Sequence, residues 1–255
     1  MAVTKRIIPC LDVKDGKVVK GINFLRLSTV GDAVEMGREY ARQGADELVF
    51  LDISATQEGR STFAELVGRI AKGINVPFTV GGGISDLDTA SRLLDAGADK
   101  ISINSAAVAD PSLISRIADK YGSQFVVTAI DAKCVDGTWR VTTHGGSRMS
   151  GKELFSWAKE AEERGAGEIL FTSMDHDGTK AGYPCDVYAG LCDSLSIPVI
   201  ASGGAGCIDH IADVLSTGKA DAALAASIFH YGEILIPDLK SALAAKGINV
   251  RLQKQ

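Results

Sequence analysis

The hydrophobic pattern of this chain is a series of short apolar runs separated by longer amphipathic stretches. The first run, Ile7-Ile8-Pro9-Cys10-Leu11-Asp12, reads as a buried strand that ends on a carboxylate. Its shape returns in Val126-Val127-Thr128-Ala129-Ile130-Asp131, so the two aspartates lie at 12 and 131, an offset of 119. The return belongs to a longer repeat. Gly44-Ala45-Asp46-Glu47-Leu48-Val49-Phe50 matches Gly165-Ala166-Gly167-Glu168-Ile169-Leu170-Phe171, from 44 to 165, an offset of 121. Val76-Pro77-Phe78-Thr79-Val80-Gly81-Gly82 matches Ile197-Pro198-Val199-Ile200-Ala201-Ser202-Gly203, and Ala98-Asp99-Lys100-Ile101 matches Ala220-Asp221-Ala222-Ala223. Four strand contexts repeated at a nearly constant offset predict four strands in each half and eight in all.

The stretches between the runs have helical spacing. Residues 61–72 place Phe63, Leu66, Val67 and Ile70 on one face. Residues 86–96 open on a capping aspartate, Asp86, and stop at Gly97. Asp110-Pro111 is a cap and first-turn proline ahead of Leu113, Ile114 and Ile117. Residues 32–43, 150–164, 184–195, 207–217 and 236–246 complete the predicted helices. Strands alternating with helices predict a parallel sheet, and eight such units in 255 residues predict a (β/α)8 TIM barrel built from two similar half-barrels. Nothing resembling a linker separates the halves, so residues 1–255 are expected to form a single domain. Residues 14–30, with Lys14, Lys17 and Lys20, read as a long loop after the first strand and a candidate lid. Val135-Asp136-Gly137-Thr138 reads as the turn of a hairpin.

Charge and composition narrow the function. A net charge of −5 and a pI near 5.4 argue against a nucleic-acid-binding surface, while leaving room for a local site for a small anion. No apolar run is long enough to span a membrane, and residues 1–6 lack the apolar core of a secretory leader, so a cytoplasmic protein is expected. The five cysteines are scattered and form no CxxC pair, which suits reduced thiols. His144, His176, His210 and His230 share no ligand spacing, so neither metal nor cofactor is expected.

In such a barrel the chemistry belongs at the C-terminal ends of the strands. Asp12 and Asp131 would face each other there. Each could simply pair with a neighbouring lysine. Two aspartates at equivalent strand ends are better suited to move protons as acid and base. Gly81-Gly82-Gly83 and Ser202-Gly203-Gly204-Ala205-Gly206 each precede a helix, where backbone N–H groups can turn toward an anion. Asn104-Ser105 and Ala226-Ser227 lie one strand further on and would complete each cradle. A long ligand with a phosphate at each end follows. Asp177 lies in the loop after the sixth strand, beside His176, which is given a structural role. At the opposite end, Arg6, Glu47, Lys100 and Glu168 precede strands, and their charges alone predict a ring of salt bridges.

Taken together, Ile8-Pro9-Cys10-Leu11-Asp12, Lys20-Gly21-Ile22-Asn23-Phe24, Ser102-Ile103-Asn104-Ser105-Ala106-Ala107, Ile130-Asp131-Ala132-Lys133 and the glycine-rich strand ends resemble the family of cyclase subunits of imidazole glycerol phosphate synthase. The likeness runs from Arg6 to about Arg251. The resemblance implies histidine biosynthesis. It implies ammonia supplied by a separate glutaminase subunit and a substrate with two phosphate ends. The implied products are imidazole glycerol phosphate and an aminoimidazole carboxamide ribotide. It assigns acid–base work to Asp12 and Asp131, one phosphate to Gly83, Asn104 and Ser105, and the other to Asp177, Gly178, Gly204, Ala226 and Ser227. It places Lys20 on the lid, makes Arg6, Glu47, Lys100 and Glu168 a gate for ammonia, and turns Asp99 toward the partner. His176 stands where the family usually has arginine. A sister sugar-phosphate isomerase shares the repeat and the aspartates; the Lys20 to Phe24 motif and the 134–144 hairpin favour the cyclase. A barrel that binds phosphates without turnover is a second alternative, and the intact aspartate pair argues against it.

Overall fold

The computed structural model of the chain describes residues 3–22, 25–53 and 60–253, the side chains of 20–22, 25–27 and 60–62 excepted. Eight parallel strands close into a ring: Arg6–Lys14, Leu48–Asp52, Phe78–Gly81, Lys100–Ile103, Val126–Val135, Glu168–Ser173, Val199–Ser202 and Ala222–Ala225. They are numbered one to eight here. Each pairs with the next, and strand eight returns to strand one with Arg6 opposite Ala222. Closure leaves the ring no unpaired edge.

The twofold side-chain period of a strand sorts the residues. One set, including Ile8, Cys10, Val49, Val127, Leu170, Ile200, Ala222 and Leu224, fills the barrel's interior. The alternate set, including Ile7, Leu11, Phe50, Ile130 and Phe171, packs outward against the helices with Trp157 and Tyr188. The helices that cover it are Ala33–Arg42, Arg60–Ala71, Leu87–Asp95, Ser112–Tyr121, Leu154–Glu163, Cys185–Ser194, Ile208–Ser216 and Ile236–Ala245. Asp86 caps its helix as the sequence predicts, and Asp32 caps the first helix in the same way. Asp32 accepts from the Val34 and Glu35 N–H groups, and Asp86 accepts from the Thr89 N–H at 2.7 Å.

Three expectations need correction. The stretch after strand one is an antiparallel hairpin, Lys17–Ile22 with Leu25–Asp32, and not a loop. Val18 and Val19 are buried in it, and strand one continues into it through the Val13–Val18 pair. Lys20 lies on this hairpin; its side chain, and the motif residues Asn23 and Phe24, fall outside the described residues. The helix expected over 150–164 begins later. Arg148–Glu153 is a strand that pairs with Thr138–Thr143, and Glu153 then caps the helix by accepting from the Ser156 N–H. Two short helices, Ser105–Ala109 and Ser227–His230, follow strands four and eight directly and were not anticipated. The expected hairpin is present, with Asp136 and Gly137 at φ of +49° and +75° in its turn.

Candidate active site

The alternation that packs Ile8 and Cys10 inside the ring carries Asp12 to its mouth. The same alternation carries strand five from Val127 through Ala129 to Asp131. Strands one and five are separated by three strands on either side, so the carboxylates stand on opposite walls. Asp12 is buried, with 7% exposure. Asp131 is half-buried, its Oδ2 accepting from Asn104 Nδ2 at 2.9 Å. It keeps some exposure to solvent but lies deep among the atoms of the mouth. That burial, with help from the charge of Asp177, pushes its carboxyl up to about 6. Hydrogen bonds from Asn104 and Thr172 pull the other way and are outweighed. Asn104 Oδ1 is buried and has no protein partner among the described residues.

The glycine-rich ends flank this pair. Gly82 and Gly83 follow strand three at φ of +103° and +63°; Gly203 and Gly204 follow strand seven at +88° and +121°. One strand on, Asn104 (φ −129°, ψ −92°) and Ala226 (φ −124°, ψ −75°) adopt nearly the same unusual backbone. Each opens a short helix whose first N–H groups receive no side-chain cap. This refines the sequence reading of the dipoles. The helix beginning at Leu87 is already capped by Asp86, whereas the helices at Ser105 and Ser227, like the one at Ile208, have no side-chain cap and keep N–H groups to offer an anion. Ser105 and Ser227 are half-buried there. The Ser105 Oγ accepts from the backbone N–H of His144 at 3.0 Å.

The loop after strand six leans over the second glycine pair. Gly182 N–H donates to Gly204 O at 2.9 Å, and a Cβ on Gly204 would stand 2.1 Å from Gly182 O. His176 Nδ1 lies 2.7 Å from Ser173 Oγ, a contact that shapes the loop. It leaves Asp177 half-buried and Gly178 exposed. Lys180 reaches across to Glu233 at 2.6 Å.

The far end of the barrel is closed by charge. Lys100 Nζ lies 3.0 Å from Glu47 Oε2 and 3.0 Å from Glu168 Oε2. Arg6 donates to Glu47 at 2.9 Å and to Glu168. Thr79 Oγ1 donates to Glu47 Oε1 at 2.8 Å. Burial works against the Arg6 charge, but the two glutamates prevail and hold its pKa above the ordinary value. The four predicted residues thus form one alternating ring. Asp99, expected to face outward, is exposed, and its Oδ2 accepts from the Phe78 N–H at 3.0 Å. Asp46 and Asp221 hold the Ile7 and Val199 N–H groups in the same way. Asp99 therefore has a structural task as well.

A family model described as histidine biosynthesis protein matches residues 6–235. A protein of Bacteroides thetaiotaomicron named imidazole glycerol phosphate synthase subunit HisF is 62% identical over 249 residues, covering 98% of this chain and 99% of its own. Relatives of the same name from Bacteroides fragilis and Cytophaga hutchinsonii are 61% and 57% identical over 249 residues, each covering 98% of this chain. The chain belongs to the HisF family of histidine biosynthesis proteins.

In this HisF-family barrel the structure brings Asp12, Asp131, Gly83, Asn104, Ser105, Asp177, Gly178, Gly204, Ala226 and Ser227 to one end, and Arg6, Glu47, Lys100, Glu168 and Asp99 to the other. Sequence reasoning did not single out Thr172, which bonds to Asp131 from the neighbouring position in the strand register. It missed Thr79 and His144 altogether. Thr79 is legible as the interior residue one strand from Glu47. The His144 contact spans 39 residues and leaves no mark in the sequence.

Proposed function

We infer that this barrel joins ammonia to a ribulosylamino-imidazole carboxamide ribotide bearing two phosphates. The products are imidazole glycerol phosphate and aminoimidazole carboxamide ribotide, and Asp12 and Asp131 move the protons. One observation carries the reading: two carboxylates on opposite walls of one mouth, with a backbone anion cradle between them on each side. A substrate anchored at both phosphates would lie across the mouth with its reacting centre between the aspartates. Gly83, Asn104 and Ser105 suit one phosphate; Asp177, Gly178, Gly204, Ala226 and Ser227 suit the other. In that second set the glycines, Ala226 and Ser227 offer backbone and hydroxyl donors, and Asp177 shapes the loop.

Adding ammonia, losing water and releasing the ribotide each require a proton to arrive or leave. A carboxyl with a pKa of about 6 exchanges its proton near neutral pH, which supports Asp131 as one member of the pair. Asp12 supplies the other carboxylate from the facing wall. Lys20, on the hairpin after strand one, is assigned to the lid.

The relatives are named as subunits, which supports a partner. We assign that partner as a glutaminase docked on the end that carries Asp99, with ammonia entering through the ring of Arg6, Glu47, Lys100 and Glu168. Ammonia must travel unprotonated to remain a nucleophile, and a ring of paired charges between two proteins would shield it from bulk water. No described helix is long and apolar enough to cross a membrane, and we place the complex in the cytoplasm as one folded barrel domain. The test is to mix the chain with the two-phosphate substrate and an ammonium salt at alkaline pH. Formation of both products supports the reading. Binding without turnover, or isomerisation of a sugar phosphate instead, overturns it.

A further inference from the structure

The hairpin that extends strand five does more than decorate the rim. Its strands Thr138–Thr143 and Arg148–Glu153 are joined by a turn in which His144, Gly145 and Gly146 all have left-handed backbones, at φ of +54°, +62° and +83°. Two of the three are glycines, for which this costs little; His144 is not. Strain of this kind persists only where surrounding contacts enforce it. Those contacts are present. The His144 N–H donates to Ser105 Oγ at 3.0 Å, and a Cβ on Gly146 would meet the end of Met174 at 2.4 Å, so the turn is seated on the segment after strand six. At the hairpin's root, Thr142 Oγ1 donates to the backbone oxygen of Asp131 at 3.1 Å.

A serine hydroxyl has one proton to donate and lone pairs with which to accept. When the His144 N–H occupies a lone pair, the Ser105 proton is left to turn elsewhere, and the mouth between Ser105 and Asn104 is where an anion would lie. We propose that His144 is a positioning residue of the first phosphate site. Its strained backbone fixes the Ser105 hydroxyl so that the proton points at the phosphate. The hairpin thereby locks that site to the strand that carries Asp131. The proposal rests on the two-phosphate reading above and adds to it a residue that touches no substrate.

The test measures KM and kcat for ammonia-driven cyclisation by the whole chain, with inorganic phosphate as a competing probe. A β-branched residue resists the left-handed region, so His144→Val withdraws the N–H from Ser105. It raises KM and the phosphate inhibition constant roughly five- to tenfold, the value of about one hydrogen bond, and changes kcat much less. His144→Gly loses the imidazole but keeps the N–H and tolerates the backbone, so it restores KM. Ser105→Ala raises KM by itself, and adding His144→Val to it produces no further rise. Unchanged KM in His144→Val, or effects of His144→Val and Ser105→Ala that multiply, overturns the positioning role alone. Unchanged KM in Ser105→Ala overturns the phosphate site and the positioning role together.

Discussion

Burial raises the Asp131 carboxyl from 3.8 to about 6, so between those two values the folded chain holds a proton that the unfolded chain has released. The stability this proton contributes is complete below about pH 3.8 and disappears as the pH rises through 6. Above that window the ionised carboxylate destabilises the fold. Asp131→Asn removes the charge and retains an oxygen that can accept from Asn104. It should therefore stabilise the protein at pH 8 by on the order of 1–2 kcal/mol, or several degrees in Tm, with the gain vanishing near pH 4. Thermal melts at the two values check this, and an equal shift at both would contradict it. Cyclisation should fall by about 10²–10⁴-fold in Asp131→Asn and in Asp12→Asn while substrate affinity changes by only a few-fold. Turnover close to wild type in either variant would remove that residue from the pair. The two aspartates were legible in the sequence because strand side chains alternate and each apolar run ended on the same residue. The proton affinity was not legible, because it depends on the mass of protein closed around strand five.

At the scale of elements, a Cβ on Gly82, Gly203 or Gly204 after strands three and seven would meet backbone oxygen at 2.2, 2.5 and 2.1 Å, unlike one on the open loop glycine Gly178. Gly204 has φ of +121° and no room, its Cβ position falling 2.1 Å from the Gly182 carbonyl oxygen. Gly178, at φ of +74°, has nothing within 4 Å. Gly204→Ala should thus displace the loop after strand six and cost about 2 kcal/mol or more, with KM rising as well, whereas Gly178→Ala should cost only about 1 kcal/mol of backbone strain. Denaturant titration of both variants checks the contrast; equal losses would mean that the loop yields freely. The helices are legible in the sequence to within a few residues wherever a cap or an apolar face marks them, as at Asp86 and the face of Phe63, Leu66, Val67 and Ile70. The sequence places the start of the helix Leu154–Glu163 too early because Arg148–Glu153 has neither alternation nor β-branched residues, and only pairing with Thr138–Thr143 makes it a strand. Ser105–Ala109 and Ser227–His230 are too short to show a helical period, and they are held by the strand ends that precede them. The hairpin after strand one reads as a loop in the sequence because Gly16, Gly21 and Gly31 interrupt its pattern, while the long antiparallel pairing that stabilises it spans the whole segment.

Over the whole molecule, the two ends of the barrel divide the work. One carries the aspartates and cradles; the other carries the ring of Arg6, Glu47, Lys100 and Glu168, which pairs every charge it buries. Removing one member of a buried network leaves an uncompensated charge and can cost about 3–5 kcal/mol, so stability has to be followed beside activity. If the ring is also the ammonia gate, Lys100→Ala or Glu168→Ala should leave ammonium-driven cyclisation within about threefold and lower glutamine-driven synthesis in the two-subunit complex by about tenfold or more. Parallel losses of both activities together with Tm would make the ring structural only. The central claim concerns the other end, that this barrel alone closes an imidazole ring between Asp12 and Asp131. The most direct measurement supplies the purified chain with the two-phosphate ribotide and ammonium at alkaline pH and follows both products over time. The account predicts imidazole glycerol phosphate and aminoimidazole carboxamide ribotide in equal amounts from the wild type, and their loss in Asp131→Asn while that variant still binds the ribotide; tight binding by the wild type without either product would contradict it.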